Sequence, residues 1–293
     1  MPVRFHPALL LYHGLCIALA CALVGCHTML APSDEAFESL LRPIESAPES
    51  VTLEVFHVRI PVEMEAEVRE LWQRVDEQQI DNQTRSRLTA NGLRAGTVGA
   101  PLPVQLTELL ELVDQPTSDD TAMTGEKVIT TLTAQPRITR RVEQLSLREQ
   151  MPITASEVRE KLQVIINDDS GLSGNEYREV EAVYSLKATP QTGQRVRLSV
   201  TPELHHGQLR NRRIGSDKGI FLMTASRERE TFSRLRIAAE ISAGEILILG
   251  GLEDAGSSLG NAFHVAETSG TPQSKLILVR LLQVPPSEIL AER

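Results

Sequence analysis

The chain contains few cysteines and few aromatic residues. All three cysteines, Cys16, Cys21 and Cys26, lie close to the N-terminus. The long remainder therefore has no thiol for an internal disulfide, a cysteine metal ligand or a cysteine nucleophile. Aromatic residues make up 3% of the chain, which is too few for the two aromatic girdles of a free-standing outer-membrane barrel.

Basic residues are also in deficit. Lys and Arg number 30 against 39 Asp and Glu, which gives a formal net charge of −9. Binding to a phosphate backbone requires a basic face, so this composition argues against nucleic acid as a partner. A dense basic run lies at Arg210–Arg213, and we expect it to form a solvated loop. Contact with anionic lipid or with an acidic partner chain is the alternative.

The N-terminus has the features of a secretory signal. Arg4 is basic, Ala8–Val24 is apolar, and the apolar stretch ends at Leu23-Val24-Gly25-Cys26, with small residues before a cleavage point. This ending resembles a bacterial lipobox, which implies a signal peptide over 1–25 and a lipid on Cys26. An ordinary signal peptide with an incidental cysteine, or a signal anchor, is the alternative.

This pattern predicts a protein of the cell envelope that faces the periplasm. The lipid on Cys26 would hold it to a membrane, and His27 at the next position resembles the outer-membrane sorting pattern of some bacteria. Residues 26–50 are rich in Pro, Ser and Glu and are expected to form a flexible tether. We expect the folded body to begin at Val51.

Residues 51–114 combine strand and helix patterns. Val51–Ile60 is β-branched and roughly alternating, which predicts a strand. Apolar residues at helical spacing follow Pro61, and a second helical stretch ends at Asn91-Gly92. A short extended segment, Leu93–Val98, leads to a third amphipathic helix. The pattern predicts a small α+β module.

Strand patterns dominate residues 124–284. Val180–Val200 alternates on both sides of a turn, which predicts a hairpin with one solvated face. Ile246–Leu249 and Leu276–Leu282 are apolar almost throughout, as in central strands covered on both faces. We therefore predict an α+β chain in which the small module is followed by a mainly antiparallel β domain and by a tail at 285–293.

A literal G-x-S-x-G occurs at Gly256–Gly260. In a hydrolase this pattern forms a nucleophile elbow, with a helix after it and then an acid and a histidine in order. The sequence after Ser258 shows no convincing helix pattern, and no acidic residue separates Ser258 from His264. We therefore predict no serine nucleophile and no enzymatic activity.

Three other groups of residues suggest sites that their spacing does not support. The glycines of 250–260 match neither a dinucleotide fingerprint nor a P-loop, which needs a Lys after its last Gly. His205 and His206 beside Glu203 would point to opposite faces of a strand, which separates them as metal ligands. Asn167–Gly171 lacks EF-hand spacing and is typical of a hairpin turn. We predict no metal, no cofactor and no small-molecule substrate.

Val196–Leu204, Ser233–Asp254 and Lys275–Val284 together resemble the homology domain of the secretins, the outer-membrane rings of type II and type III secretion systems and type IV pili. In the second stretch, a turn, an apolar strand and a Gly-Gly-Leu exit occupy the places of the family motif. The motif residues are Gly244, Gly250, Gly251 and Leu252. The resemblance implies a hairpin across the turn, and it implies copies of the chain or secretion-system proteins as partners.

The chain departs from the secretin pattern in two places. Polar sequence follows Gly-Gly-Leu where the family has Pro-x-Leu-Gly-Asp-Ile-Pro. The segment between Leu204 and Ser233 is too short and too polar for strands at a membrane lip, because a charged side chain facing lipid costs roughly 2–4 kcal/mol near the midplane. The resemblance therefore does not extend to a gated pore.

Two functions fit these observations. The first is a non-enzymatic, lipid-anchored scaffold or ring component of a secretion or pilus-like assembly, in which open sheet edges pair. The second is a monomeric lipoprotein module that binds a periplasmic protein or a glycan, with its β domain closed into a sandwich. Open edges without a pocket favour assembly, whereas capped edges and a deep polar pocket favour the binding module.

Overall fold

The computed structural model describes residues 49–114, 137–215, 221–253, 256–268 and 271–285. The predicted signal peptide, the predicted lipidation site Cys26, nearly all of the predicted tether and most of the predicted tail lie outside these residues. Ser46–Arg293 forms one compact unit. Within the described ranges, no helix is both long enough and apolar enough to cross a membrane.

The first part of the chain alternates strands and helices. Strand β1 covers Ser50–Ile60 and β2 covers Leu93–Val98, so both predicted strands are confirmed. The helices are α1 (Glu65–Trp72), α2 (Asn82–Ala90) and α3 (Val104–Asp114). The predicted end of the second helix is also confirmed, because Asn91 caps α2 and Gly92 follows with a φ of +74°, a conformation that glycine adopts without strain.

The second part is built almost wholly from strands. The strands are β3 (Ile138–Ser146), β4 (Met151–Thr154), β5 (Arg159–Asp168), β6 (Gly171–Gln191), β7 (Arg195–Gly215), β8 (Phe221–Thr231), β9 (Ile237–Ser242), β10 (Ile246–Gly251), β11 (Val265–Thr268) and β12 (Thr271–Gln283). A short helix, α4, covers Leu259–His264. All strand pairs in the sheets are antiparallel, which confirms an α+β fold dominated by β-structure.

The first sheet has the strand order β2-β10-β12-β1-β3, and β11 pairs with the beginning of β12. Strands β1 and β2 come from residues 51–114, whereas β10 and β12 come from residues 124–284. The two sequence segments therefore contribute to one sheet. Both of its apolar central strands, β10 and β12, have neighbours on each side.

The second sheet has different strand neighbours at its two ends. Near the turn between β6 and β7 its order is β4-β6-β7-β9, and at the other end β5 lies beside β6 and β8 beside β7. The pairing of β6 with β7 stops at Glu181 and His205, so beyond this point the sheet divides into two ribbons. The first ribbon comprises residues 159–180 of β5 and β6. The second ribbon comprises residues 206–215 and 221–228 of β7 and β8.

Two apolar layers hold this architecture together. Between the sheets, alternate side chains of β1, β10 and β12 meet those of β6, β7 and β9. The opposite face of the first sheet is covered by α1 and α3, which bury Leu71, Trp72, Leu106 and Leu109. Burial on both faces explains why Ile246–Leu249 of β10 and Leu276–Leu282 of β12 are apolar almost throughout, as predicted. The second sheet alternates apolar and polar residues because the structure covers one of its faces.

The turn at Ser242–Glu245 joins the two sheets. Strand β9 pairs with β7 in the second sheet, whereas β10 pairs with β2 and β12 in the first. The hairpin that the secretin resemblance implies here is therefore wrong, and the chain makes a corner between layers instead. Gly244 allows the corner with a φ of +91°, and its N–H donates to the carbonyl of Leu281 at 2.7 Å.

Candidate functional sites

The Gly-Gly-Leu exit of β10 lies where the first sheet meets α1 and α4. A Cβ on Gly250 would lie 2.7 Å from Cζ2 of Trp72, and a Cβ on Gly251 would lie 3.0 Å from a side chain of α4. The N–H of Leu252 donates to the carbonyl of Gly92 at 2.9 Å. The two glycines thus allow the indole and the short helix to approach the strand, and these motif residues serve packing.

Asn91 connects α2 with β5 and α4. Its Nδ2 donates to the carbonyl of Asn167 at 2.8 Å, and its Oδ1 accepts the N–H of the same residue at 2.8 Å. The Asn91 carbonyl accepts the N–H of Gly260 at 2.8 Å. A Cβ on Gly260 would lie 1.8 Å from the oxygen of Gly92, so this close approach requires glycine. We call these four residues the Asn91 junction.

The G-x-S-x-G loop contains the beginning of a helix. Ser258 is the N-cap of α4, and its Oγ accepts the N–H of Asn261 at 3.4 Å. The expectation that no helix follows Ser258 is therefore wrong. The helix has only six residues, and both Leu259 and Phe263 are fully buried. A helix this short carries no readable apolar period, and core packing stabilises it instead.

His264, the other residue of the hypothetical hydrolase pair, is buried and fully hydrogen-bonded. Its Nδ1 lies 3.0 Å from the carbonyl oxygen of Lys275, and its Nε2 lies 2.7 Å from the hydroxyl of Tyr184. A carbonyl can only accept, so Nδ1 carries the proton and Nε2 accepts from the hydroxyl. Burial lowers the pKa of His264 to about 3. The neutral ring links α4 to both sheets and has no nitrogen left for Ser258.

His205 and His206 point to opposite faces of β7, as predicted. His205 Nε2 lies 2.9 Å from Glu203 Oε2, whereas the His206 ring contacts the Tyr177 ring with 5.2 Å between centroids. In the part of the chain that the structure describes, no group of three or more His, Cys, Asp or Glu side chains could hold a metal.

The basic run Arg210–Arg213 lies in β7, so the predicted loop is wrong. It forms one side of the second ribbon and pairs with β8. Arg210 Nη1 lies 3.3 Å from Glu228 Oε1 on β8. A carboxylate on the neighbouring strand therefore compensates Arg210, and this cross-strand pair is not visible in the run itself.

A polar cleft of about 470 Å³ opens between α2, the first ribbon and the chain that follows β8. Arg87 from α2 and Arg234 from the segment after β8 both contact Asp169 at its rim, the former at 3.5 Å. Amide and hydroxyl side chains line much of the rest, together with Phe232. The sequence analysis missed this cleft because its residues come from three segments that are distant along the chain.

Tyr177 and Glu230 lie beside the cleft. The Tyr177 hydroxyl donates to Glu230 Oε2 at 2.6 Å, and Glu230 lines the cleft. Burial, and after it the Glu230 carboxylate, raises the pKa of Tyr177 above its ordinary value, so the hydroxyl remains a donor. The cleft therefore offers donors, acceptors and one aromatic ring to a polar ligand.

Comparison of the chain with protein-family models, with curated proteins and with solved structures found no match. The function is therefore inferred from the geometry of the sheets and sites.

Proposed function

We propose that this protein is a non-enzymatic, lipid-anchored envelope protein that assembles with copies of itself as a scaffold or ring of a secretion or pilus-like system. The second sheet is the observation that carries the proposal. Among the described residues, no strand pairs with the outer edge of β5 or with that of β8. Unpaired edges expose N–H and carbonyl groups that another chain can satisfy.

The direction of the strands suits head-to-tail pairing. β5, β6, β7 and β8 alternate in direction, because each neighbouring pair is antiparallel. An even number of alternating strands leaves β5 and β8 running in opposite directions. The β8 of one copy therefore meets the β5 of the next as an antiparallel neighbour. Repetition of such a contact closes into a ring when the rotation per copy permits it.

Exposed apolar side chains lie on the same ribbons. Ile165 on β5 is 48% exposed, Leu172 on β6 is 74% exposed and Leu209, beside the bulge in β7, is 63% exposed. The outer side of β5 is already bonded at two positions, where the Ile165 N–H donates to the Ser257 carbonyl at 2.8 Å and the Asn91 side chain bonds the backbone of Asn167. A neighbouring copy on the ribbons would remove these side chains from water, which favours association.

The lipid anchor, the ring and the non-enzymatic function are each supported by a separate observation. The lipobox-like ending at Cys26 supports the lipid anchor, and the secretin resemblance supports a ring. Ser258 caps a helix, and both ring nitrogens of His264 are engaged. These structural roles account for the residues of the hydrolase-like pattern and support a non-enzymatic function.

Native mass spectrometry of the full-length chain in detergent tests the proposal, and we expect closed multimers. Gln163 on β5 and Glu228 on β8 are exposed, so the double variant Gln163→Cys with Glu228→Cys should form a ladder of disulfide-linked copies on oxidation. Each single variant is the matched control and should form dimers at most. A chain that stays monomeric at high concentration would contradict the proposal.

A monomeric binding module is the second candidate, and the polar cleft favours it. Hydroxyl and amide side chains beside Phe232 suit a glycan, whose hydroxyl groups hydrogen-bond while a sugar face packs on the ring. Saturation-transfer NMR with soluble cell-wall glycan fragments tests this function. If the cleft binds a glycan, Phe232→Ala should weaken binding. Phe56→Ala, on the distant face of the first sheet, is the control and should leave binding unchanged.

A further inference from the structure

Strand β3 lies at one edge of the first sheet. It pairs with β1 on one side, and in the part of the chain that the structure describes no strand pairs with its other side. Five consecutive residues in its middle, Arg140–Gln144, are exposed. Because successive side chains point to opposite faces, the strand is open to solvent on both faces as well as along its edge. An edge of this kind is available to a strand of another chain.

The hydrogen bonds between β1 and β3 determine which backbone groups face the open edge. At one end the N–H of Arg59 donates to the carbonyl of Arg137 at 2.8 Å, and at the other end the N–H of Leu147 donates to the carbonyl of Glu49 at 2.9 Å. The register between these bonds is unbroken, and hydrogen-bonded pairs alternate with non-bonded pairs in an antiparallel ladder. The odd-numbered residues of β3 therefore bond to β1. The residues whose N–H and carbonyl groups face the open edge are Arg140, Val142 and Gln144.

The charges of β3 are complementary to a second copy of the same strand. Arg141 and Glu143 lie on one face of β3, on either side of Val142. If two antiparallel copies meet about a two-fold axis at Val142, Arg141 of each copy lies directly opposite Glu143 of the other. These residues then form non-hydrogen-bonded pairs, in which the Cα atoms are about 4.5 Å apart and the side chains are closest. Opposite charges at such positions stabilise the pairing of two strands.

The neighbouring registers of this pairing are unfavourable. Residues that pair across antiparallel strands lie on the same face of the sheet, so a two-fold axis between two copies must pass beside one residue and its own counterpart. An axis at Arg141 places two guanidinium groups opposite each other, and an axis at Glu143 does the same with two carboxylates. Like charges directly opposite are destabilising. The charges of β3 therefore favour the axis at Val142 over the positions beside it.

We propose that the edge of β3 is a two-fold interface between copies of this chain, in which two β3 strands pair antiparallel about Val142. The three outward-facing N–H groups of each copy donate to the other, which makes six backbone hydrogen bonds across the axis. Val142 is 49% exposed, and it meets its own counterpart on the face that carries Ile138 and the helical layer. Removal of both side chains from water favours association.

This interface differs from the head-to-tail contact between β5 and β8. A two-fold contact uses the same surface on both copies and is complete when two copies have met, whereas a head-to-tail contact continues to the next copy. The β3 edge belongs to the first sheet and includes no residue of the ribbons. Either contact can therefore fail while the other holds.

Disulfide cross-linking of the full-length chain in detergent tests the position of the axis. A residue on the axis meets its own copy at about 5.5 Å between Cα atoms, which a disulfide can span. Val142→Cys should therefore form covalent dimers on oxidation. Gln144→Cys is the matched control on the same exposed edge and retains the same native cysteines, but its Cα would lie about 14 Å from its counterpart. Equal cross-linking of the two variants, or none in Val142→Cys, would overturn the proposal.

Charge exchange in the Val142→Cys chain tests the pairing itself. Arg141→Glu or Glu143→Arg alone places like charges opposite each other at two positions, so the initial rate of cross-linking in dilute protein should fall about tenfold. Arg141→Glu together with Glu143→Arg restores opposite charges and should recover the rate. All of these residues are exposed, so the fold should tolerate the changes. A combined variant as slow as either single exchange would contradict the interface.

The same charge exchange separates this interface from the proposed head-to-tail assembly. In the chain that carries Gln163→Cys with Glu228→Cys, the disulfide ladder depends on β5 and β8, so Arg141→Glu should leave the ladder unchanged. In that case, loss of the Val142→Cys dimer reports on β3 alone, and loss of the ladder reports on the ribbons alone.

Discussion

The two sheets differ in how completely they are covered. The first sheet has α1 and α3 on one face and the second sheet on the other, and Ile246–Gly250 of β10 and Leu276–Val279 of β12 are buried. The second sheet has one apolar face, and beyond Glu181 it divides into two ribbons. The first six residues of β6 are all exposed.

Because of this difference, we expect substitutions in the first sheet to change stability and substitutions in the ribbons to change binding to other molecules. Positions in the first sheet and at the Asn91 junction leave no space, so substitutions there act through packing. Ribbon positions contact few groups of their own chain, so substitutions there should leave the fold intact and act on what the ribbons bind.

Gly260→Ala should produce the largest loss. The new Cβ would lie 1.8 Å from the oxygen of Gly92, and this contact involves backbone that a rotamer change cannot relieve. We expect a loss of about 3 kcal/mol or more in the free energy of unfolding, at or above the upper range for overpacking, measured by urea denaturation.

Gly174→Ala is the matched control for this substitution. Gly174 lies on β6 in the first ribbon, and a Cβ there would meet no atom within 4 Å. We expect a change within about 0.5 kcal/mol, as for other exposed positions. Equal losses at both glycines would break the distinction between the junction and the ribbon.

Acid should weaken the fold through His264, which links α4 to both sheets. The unfolded chain protonates this imidazole near pH 6.5, whereas burial holds its pKa in the folded chain to about 3. The contribution to stability is therefore complete above pH 6.5 and is lost as the pH falls toward 3. The loss should reach a few kcal/mol, since each unit of pKa difference is worth about 1.4 kcal/mol.

Denaturation curves between pH 7 and pH 3 measure this effect. His57 also has a lowered pKa, to about 4, and contributes with the same sign between pH 6.5 and 4. The variant His264→Gln should flatten the curve below pH 4, where His57 no longer contributes. An unchanged curve in that variant would show that the acid sensitivity arises elsewhere.

Leu172→Ser should have the smallest effect on stability. Leu172 is 74% exposed on the first ribbon, so the free energy of unfolding should change by about 0.5 kcal/mol or less. The same substitution should reduce assembly if the ribbon is covered by a neighbouring copy. Sedimentation velocity in detergent separates the effect on stability from the effect on assembly. Val62→Ser, at an exposed position on the helical side, is the control. Loss of multimers in both variants would contradict a specific role of the ribbon.

Much of the fold could be predicted from the sequence because the patterns are local. The alternation of Val180–Val200 predicts a half-covered hairpin, and the apolar runs of β10 and β12 predict central strands. The failures were those in which tertiary contacts overrode local signals. Ser258 begins a helix whose six residues are too few to show a period, and Gly244 forms a corner rather than a hairpin turn.

The candidate sites were less predictable than the fold. The polar cleft brings Arg87, Asp169 and Arg234 together from three separate segments. The first sheet places Arg59 beside Lys275, and these residues are more than two hundred positions apart along the chain. Neither group forms a motif, since the spacing of its members along the chain carries no information about their distance in space.

By itself, the sequence determined the α+β class, the apolar strands and the absence of thiols beyond Cys26, because composition and periodicity are properties of the chain. Only the tertiary structure decided that β1 and β2 join β10 and β12 in one sheet. It also decided which strand edges have no partner strand among the described residues. These features depend on strand register and on the packing of layers, which arise from contacts between residues distant in sequence.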